Sequence, residues 1–192
     1  MSKFRRATSV ARSEPSIRRA YFDCRYGQLH MHHAIPGGGG FDEATTLLCL
    51  PDAPGLGRFF RPLLAPLGRD RAVYAPDLPG CGESDPAPDG AGAPEFAAAM
   101  SDFVESMRFG TVDLMAHGSG VAIALALLQL RPAMIGRLVL SPANESVRAQ
   151  ARALRQPVLI VDLTPVAQTQ TQPVAVDIER QAGELRNFLG LV

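Results

Sequence analysis

The run Val112-Asp113-Leu114-Met115-Ala116-His117-Gly118-Ser119-Gly120-Val121-Ala122-Ile123-Ala124 reads as a strand, a tight turn and a helix. Apart from Asp113, Val112–Ala116 is apolar and short, as a strand of a parallel sheet should be. Gly118 and Gly120 then bracket Ser119, and Val121–Leu130 continues as a very apolar helix.

The same alternation extends in both directions. Upstream, Ala20–Arg25 and Gln28–Ala34 read as a hairpin around Tyr26-Gly27. Pro36–Gly40 is a loop, and Thr46–Leu50 a buried strand. Arg58–Leu67 has helical spacing at Phe59, Leu63, Leu64 and Leu67. Arg71–Ala75 is another short strand, Asp77–Gly92 a Gly/Pro/Asp-rich loop, and Pro94–Phe109 a helix. Downstream, Ile135–Leu140 and Pro157–Leu163 read as strands with a short helix near Asn144–Leu154 between them. Pro173–Val176 is expected as a last strand and Asp177–Leu189 as a closing amphipathic helix. Strands alternating with helices predict βαβ units and a mostly parallel sheet.

Composition narrows the classes. The 192 residues are 46% hydrophobic and 20% charged, enough for one domain with a real core. Nineteen Lys+Arg balance nineteen Asp+Glu, so no basic face for nucleic acid is expected. There is no apolar run near membrane-spanning length and no apolar leader, so neither a membrane span nor a secretory signal is expected. Cys24, Cys49 and Cys81 are an odd count without metal-type spacing, which predicts a reduced, cytoplasmic protein. Residues 1–19 carry Lys3, Arg5, Arg6, Arg12, Arg18 and Arg19 against Glu14, a net +5 that leaves −5 on the rest. They are expected as a flexible basic tail before a single domain over 20–192; the sharper alternative is an arm that docks on an acidic partner.

On these residues the chain resembles the α/β-hydrolase superfamily over most of 20–190. Tyr26-Gly27-Gln28-Leu29-His30 looks like that family's opening hairpin. Leu47–Asp52 stands where the family has a strand ending in His-Gly, whose next residue, here Ala53, lends an oxyanion N–H. Asp77-Leu78-Pro79-Gly80-Cys81-Gly82-Glu83-Ser84 matches its Asp-x-x-Gly-x-Gly-x-Ser loop. The resemblance implies an α/β three-layer sandwich, a mostly parallel sheet with an antiparallel N-terminal hairpin. Fewer than 20 residues separate Leu140 from Val158, too few for the family's cap domain.

The chemistry departs from the family. A nucleophile elbow needs small residues two before and two after the nucleophile. With Gly118 at that position the flanks are Ala116 and Gly120; with Ser119 they are His117 and Val121, too large for the turn. Glycine cannot attack anything. No carboxylate follows the Val158–Leu163 strand until Asp177, and Asp162 is expected within the strand. No histidine follows His117. Pro51 has no N–H, and Asp52 sets a negative charge where an oxyanion must form. Losing a whole triad costs about six orders of magnitude in rate, leaving roughly 10³ to 10⁴ over water.

The residues around the elbow have plain and functional readings. His117 is a packed neighbour of the turn, or a general base. Ser119 is a capping hydroxyl of the next helix, or lends its N–H to a ligand. Asp52 and Ala53 border the same ligand position. Cys81 reads as a packed small residue, since no base is recognisable nearby. Gly118-Ser119-Gly120 lacks the third glycine of a dinucleotide loop, with Ile123 in its place, so no cofactor is expected. His30 and His32 share a strand face in the hairpin at the sheet edge, but no third ligand is indicated, so no metal is expected.

Two functions stay open. One is a non-catalytic family member that binds a small ligand or a partner chain at the open top of the sheet. A homodimer, or a hetero-oligomer with a catalytic relative, is one form of it. The other is an enzyme of altered chemistry, a weak hydrolase, lyase or isomerase, that uses His117, Ser119 or Asp52.

Overall fold

The computed structural model describes residues 15–37, 44–163 and 174–190. The chain opens with the hairpin of β1 (Arg18–Cys24) and β2 (Gly27–Ala34). β1 begins two residues before the expected strand, because Arg18 and Arg19 pair with His33 and His32. Residues 1–14 of the expected tail lie outside the described residues.

Next come β3 (Thr46–Leu50), a 3₁₀ turn (Gly57–Phe60), α1 (Arg61–Leu67), β4 (Val73–Pro76) and α2 (Ala93–Ser106). β5 (Val112–His117) leads through the glycine turn into α3 (Gly120–Leu130). β6 (Ile135–Ser141), α4 (Glu145–Ala151), β7 (Val158–Ile160) and α5 (Val174–Phe188) complete it.

These strands form one seven-stranded sheet in the order β1-β2-β4-β3-β5-β6-β7. β2 runs antiparallel to both β1 and β4, and every other neighbouring pair is parallel. The central strands are covered on both sides, with alternate residues facing opposite layers. Leu48 and Leu50 of β3 and Leu114 and Ala116 of β5 join Met100, Phe103 and Leu127 of α2 and α3. Leu47, Cys49 and Met115 join Leu64 and Leu67 of α1 and Leu185 of α5 on the other face. The expected three-layer sandwich is therefore present, and only α4 stands between β6 and β7, with no cap. Asn144 caps α4, its Oδ1 accepting the Val147 N–H at 2.9 Å.

Three expectations change. The helix expected from Arg58 begins as a 3₁₀ turn; the Gly57 N–H there donates to Asp77 Oδ1 at 2.8 Å. Val174–Val176, expected in a last strand, begin α5. Strand propensity depends on a partner to pair with, and here the helix that follows extends back over them. β7 is shorter than expected and stops at Ile160. Asp162 therefore lies beyond the strand, not within it, and its Oδ1 accepts the Ala143 N–H at 2.7 Å.

A buried ion pair joins the layers. Arg71 and Asp113 are each 1% exposed and meet at 2.8 Å. Arg71 also donates to the Leu189 carbonyl at 2.8 Å, tying the end of α5 to the sheet. Asp113 Oδ1 accepts the Arg137 N–H at 2.7 Å.

Candidate functional site

Ligand sites of open parallel sheets lie beyond the carboxyl ends of the strands. Three segments meet there: residues 51–56 after β3, the Asp77–Asp85 loop after β4, and the turn between β5 and α3. Gly118 forms the apex of that turn with φ +56°, a conformation that glycine adopts without strain. A Cβ at Gly120 would collide with the Leu50 carbonyl, so α3 starts hard against β3.

The structure brings Asp52, Ala53 and Ser119 together in one knot. Asp52 Oδ1 accepts the Ser119 N–H at 2.8 Å, the Ser119 hydroxyl at 2.8 Å and its neighbour's N–H, that of Ala53, at 2.9 Å. The Ala53 N–H also reaches Ser119 Oγ at 2.8 Å. The Ser119 hydroxyl was expected to cap α3; it makes no cap hydrogen bond and is committed to Asp52. The Ser119 N–H above all, then the hydroxyl and the Ala53 N–H, hold the Asp52 carboxyl below its ordinary pKa against the effect of burial. It is an anion at neutral pH.

His117 ends β5 beside this knot. Its ring stacks on Phe59 at 4.6 Å and 12°. Its Nδ1 lies 3.0 Å from Ser141 Oγ, which accepts the Leu163 N–H at 3.0 Å and is free to donate to the imidazole. Burial pushes the His117 pKa down, so the ring is neutral at pH 7.

Asp52 and His117 line a broad groove of about 1390 Å³, with Arg19, Arg58 and Arg61 around it. These three arginines are exposed and form no ion pair among the described residues. Cys81 is half-buried, and burial raises its thiol pKa, the opposite of nucleophile activation.

Sequence reasoning missed a second cluster in the groove. β1 is the edge strand, so β2 and its histidines lie inside the sheet rather than at its edge. His30 is 3% exposed, with Nδ1 2.9 Å from Asp77 Oδ2. Asp77 is fixed in turn by the Gly57 N–H on Oδ1. The acidic partner sits 47 residues downstream, so no local spacing reveals it; the signal was the aspartate that opens the Asp-x-x-Gly-x-Gly-x-Ser loop.

Residues 36–188 match the alpha/beta hydrolase family. The chain belongs to that family. Solved α/β-hydrolase structures share its fold. A carboxylesterase from Bacillus subtilis is 21% identical with a TM-score of 0.57, over 71% of this chain and 49% of that one. An α/β-hydrolase from Novosphingobium aromaticivorans is 21% identical with a TM-score of 0.59, over 71% and 49%. An epoxide hydrolase from Vigna radiata is 25% identical with a TM-score of 0.54, over 72% and 46%. This α/β-hydrolase chain thus spans about half the length of the structures it matches. Among its described residues no helix is long and apolar enough to cross a membrane.

Proposed function

We propose that this chain is a non-catalytic α/β-hydrolase-fold protein that binds a small ligand or a partner chain at the open top of its sheet. One observation carries the reading: the Ser119 and Ala53 N–H groups both donate to Asp52 Oδ1. In the family's elbow, the N–H after the nucleophile and an N–H beyond the third strand hold the developing oxyanion. In this reading Gly118 stands at the nucleophile's position, and the protein's own carboxylate fills the hole. A tetrahedral intermediate would have to displace an anion before its own charge could be stabilised.

Arg19, Arg58 and Arg61 around the groove, with no ion pair among the described residues, favour an anionic small molecule as the ligand. A partner chain, either a second copy or a catalytic relative, is the other occupant, because among the described residues no cap covers the groove. A monodisperse monomer in analytical ultracentrifugation would remove the dimer. Among the described residues Cys24, Cys49 and Cys81 are free, which supports a reducing, cytoplasmic setting.

The alternative is an enzyme of altered chemistry that uses His117, Ser119 or Asp52. A raised Asp52 pKa would support it, and the shift is the other way. The Ser119 hydroxyl donates to Asp52 Oδ1. His117 stands on the wall of the groove, neutral at pH 7.

Hydrolysis of an activated aryl ester by the native protein, Ser119→Ala and His117→Ala tests the proposal. We expect equal rates in all three, at the level of buffer. Native activity lost in both variants would mean a working hydrolase.

A further inference from the structure

We propose that His30, His32 and Asp77 form a binding site for a divalent first-row transition metal such as zinc, opening on the groove. The inference is independent of whether the elbow is catalytic.

One ligand-capable atom from each of the three residues lies within 4.8 Å of the other two, before any ion draws them in. Two neutral imidazoles and a carboxylate are a donor set suited to zinc, iron(II) or cobalt. Strand periodicity supplies the two imidazoles. His30 and His32 are two apart on β2, so both face the groove, while His33 turns to the other face and stacks on Tyr74 at 5.6 Å. The loop after β4 supplies the carboxylate.

His30 is 3% exposed and its Nδ1 lies 2.9 Å from Asp77 Oδ2. That spacing is close to that of two ligand atoms on one ion with bonds of about 2.0–2.1 Å. An ion there would replace the proton that the two atoms now share.

The surroundings agree in part. His32 is half-buried on the groove wall. Glu83 also lines the groove and adds negative charge. Arg19 and Arg61 oppose a cation, and their long side chains are exposed and able to move away. The groove gives a path of entry and room for water as the remaining ligands.

The test uses untagged full-length protein titrated with Co²⁺, read by its visible absorption, then with Zn²⁺ as competitor. We expect one ion per chain, displaced by Zn²⁺. His32→Asn should weaken binding at least about tenfold. His33→Asn, which removes a histidine from the opposite face, should change nothing. Absence of saturable binding by the native protein overturns the proposal. So does equal binding by His32→Asn, or equal loss in both variants. Imidazole ¹⁵N spectra of the native protein with Zn²⁺ need no variant to fold. Shifts at His30 and His32 support the site; shifts confined to His33 or His117 overturn it.

Discussion

A Cβ on Gly118 would overlap the carboxylate carbon of Asp52. Positions 52 and 118 therefore share one space, and the aspartate fits because the elbow carries no side chain. In the proposed reading, the missing side chain at Gly118 and the placing of the Asp52 carboxylate are one steric arrangement.

Gly118→Ser should accordingly destabilise the fold, by about 1–3 kcal/mol, through overlap with Asp52 and an L side chain at φ +56°. Asp52→Gly removes the obstacle. The double variant should then be more stable than the sum of the singles by about 1 kcal/mol. Neither variant should hydrolyse an aryl ester above buffer, since no histidine follows His117. Urea unfolding of the four proteins measures the coupling, and strict additivity would show that the two positions do not compete.

Asp52→Asn should weaken the knot in a pH-dependent way. The folded pKa of Asp52 is depressed, so its contribution is complete above the unfolded carboxylate pKa, about 3.9. It is lost as pH falls through the folded value. The native protein should exceed Asp52→Asn by about 1 kcal/mol or less near pH 7, because hydrogen bonds to an exposed charge are screened. The two should converge in acid. A gap that does not shrink as pH falls below about 3.9 would remove the ionised carboxylate from the account.

The buried pair Arg71–Asp113 gives a larger effect. Desolvation alone would lower the Arg71 pKa, and Asp113 offsets it at 2.8 Å. Asp113→Ala leaves a guanidinium buried without its counter-charge and frees the Arg137 N–H. The expected cost is about 3–5 kcal/mol in chemical denaturation. Replacing both residues with apolar ones of similar volume should recover much of it, which a purely local role for Asp113 would not allow.

Local pattern made most of the fold legible. β3 is apolar on both faces, α3 opens at the second of two glycines, and the hairpin turns at a glycine, so each announces itself within a few residues. The place of the Asp52 charge just after β3 was legible too. Its capture by a serine 67 residues away was not. His30 and Asp77, or Arg71 and Asp113, meet only once β4 has been set between β2 and β3 and the sheet has closed over them. The strand expected at Val174–Val176 is a helix, where strand propensity finds no partner strand among the described residues.

His117 should titrate below an ordinary histidine. Burial disfavours its imidazolium, and the Asp52 carboxylate only partly offsets this. The stacked ring of Phe59 shields one face. Phe59→Ala opens that face to water, so the midpoint in a histidine NMR titration should move up toward about 6.5. The linkage follows in sign. A lowered folded pKa means that the folded state binds fewer protons between that value and 6.5, so the native protein loses stability as pH falls through this window. Phe59→Ala should flatten that slope as well as lower the plateau. A variant whose His117 midpoint stays where the native one lies would show that Phe59 does not control solvent access to this imidazole.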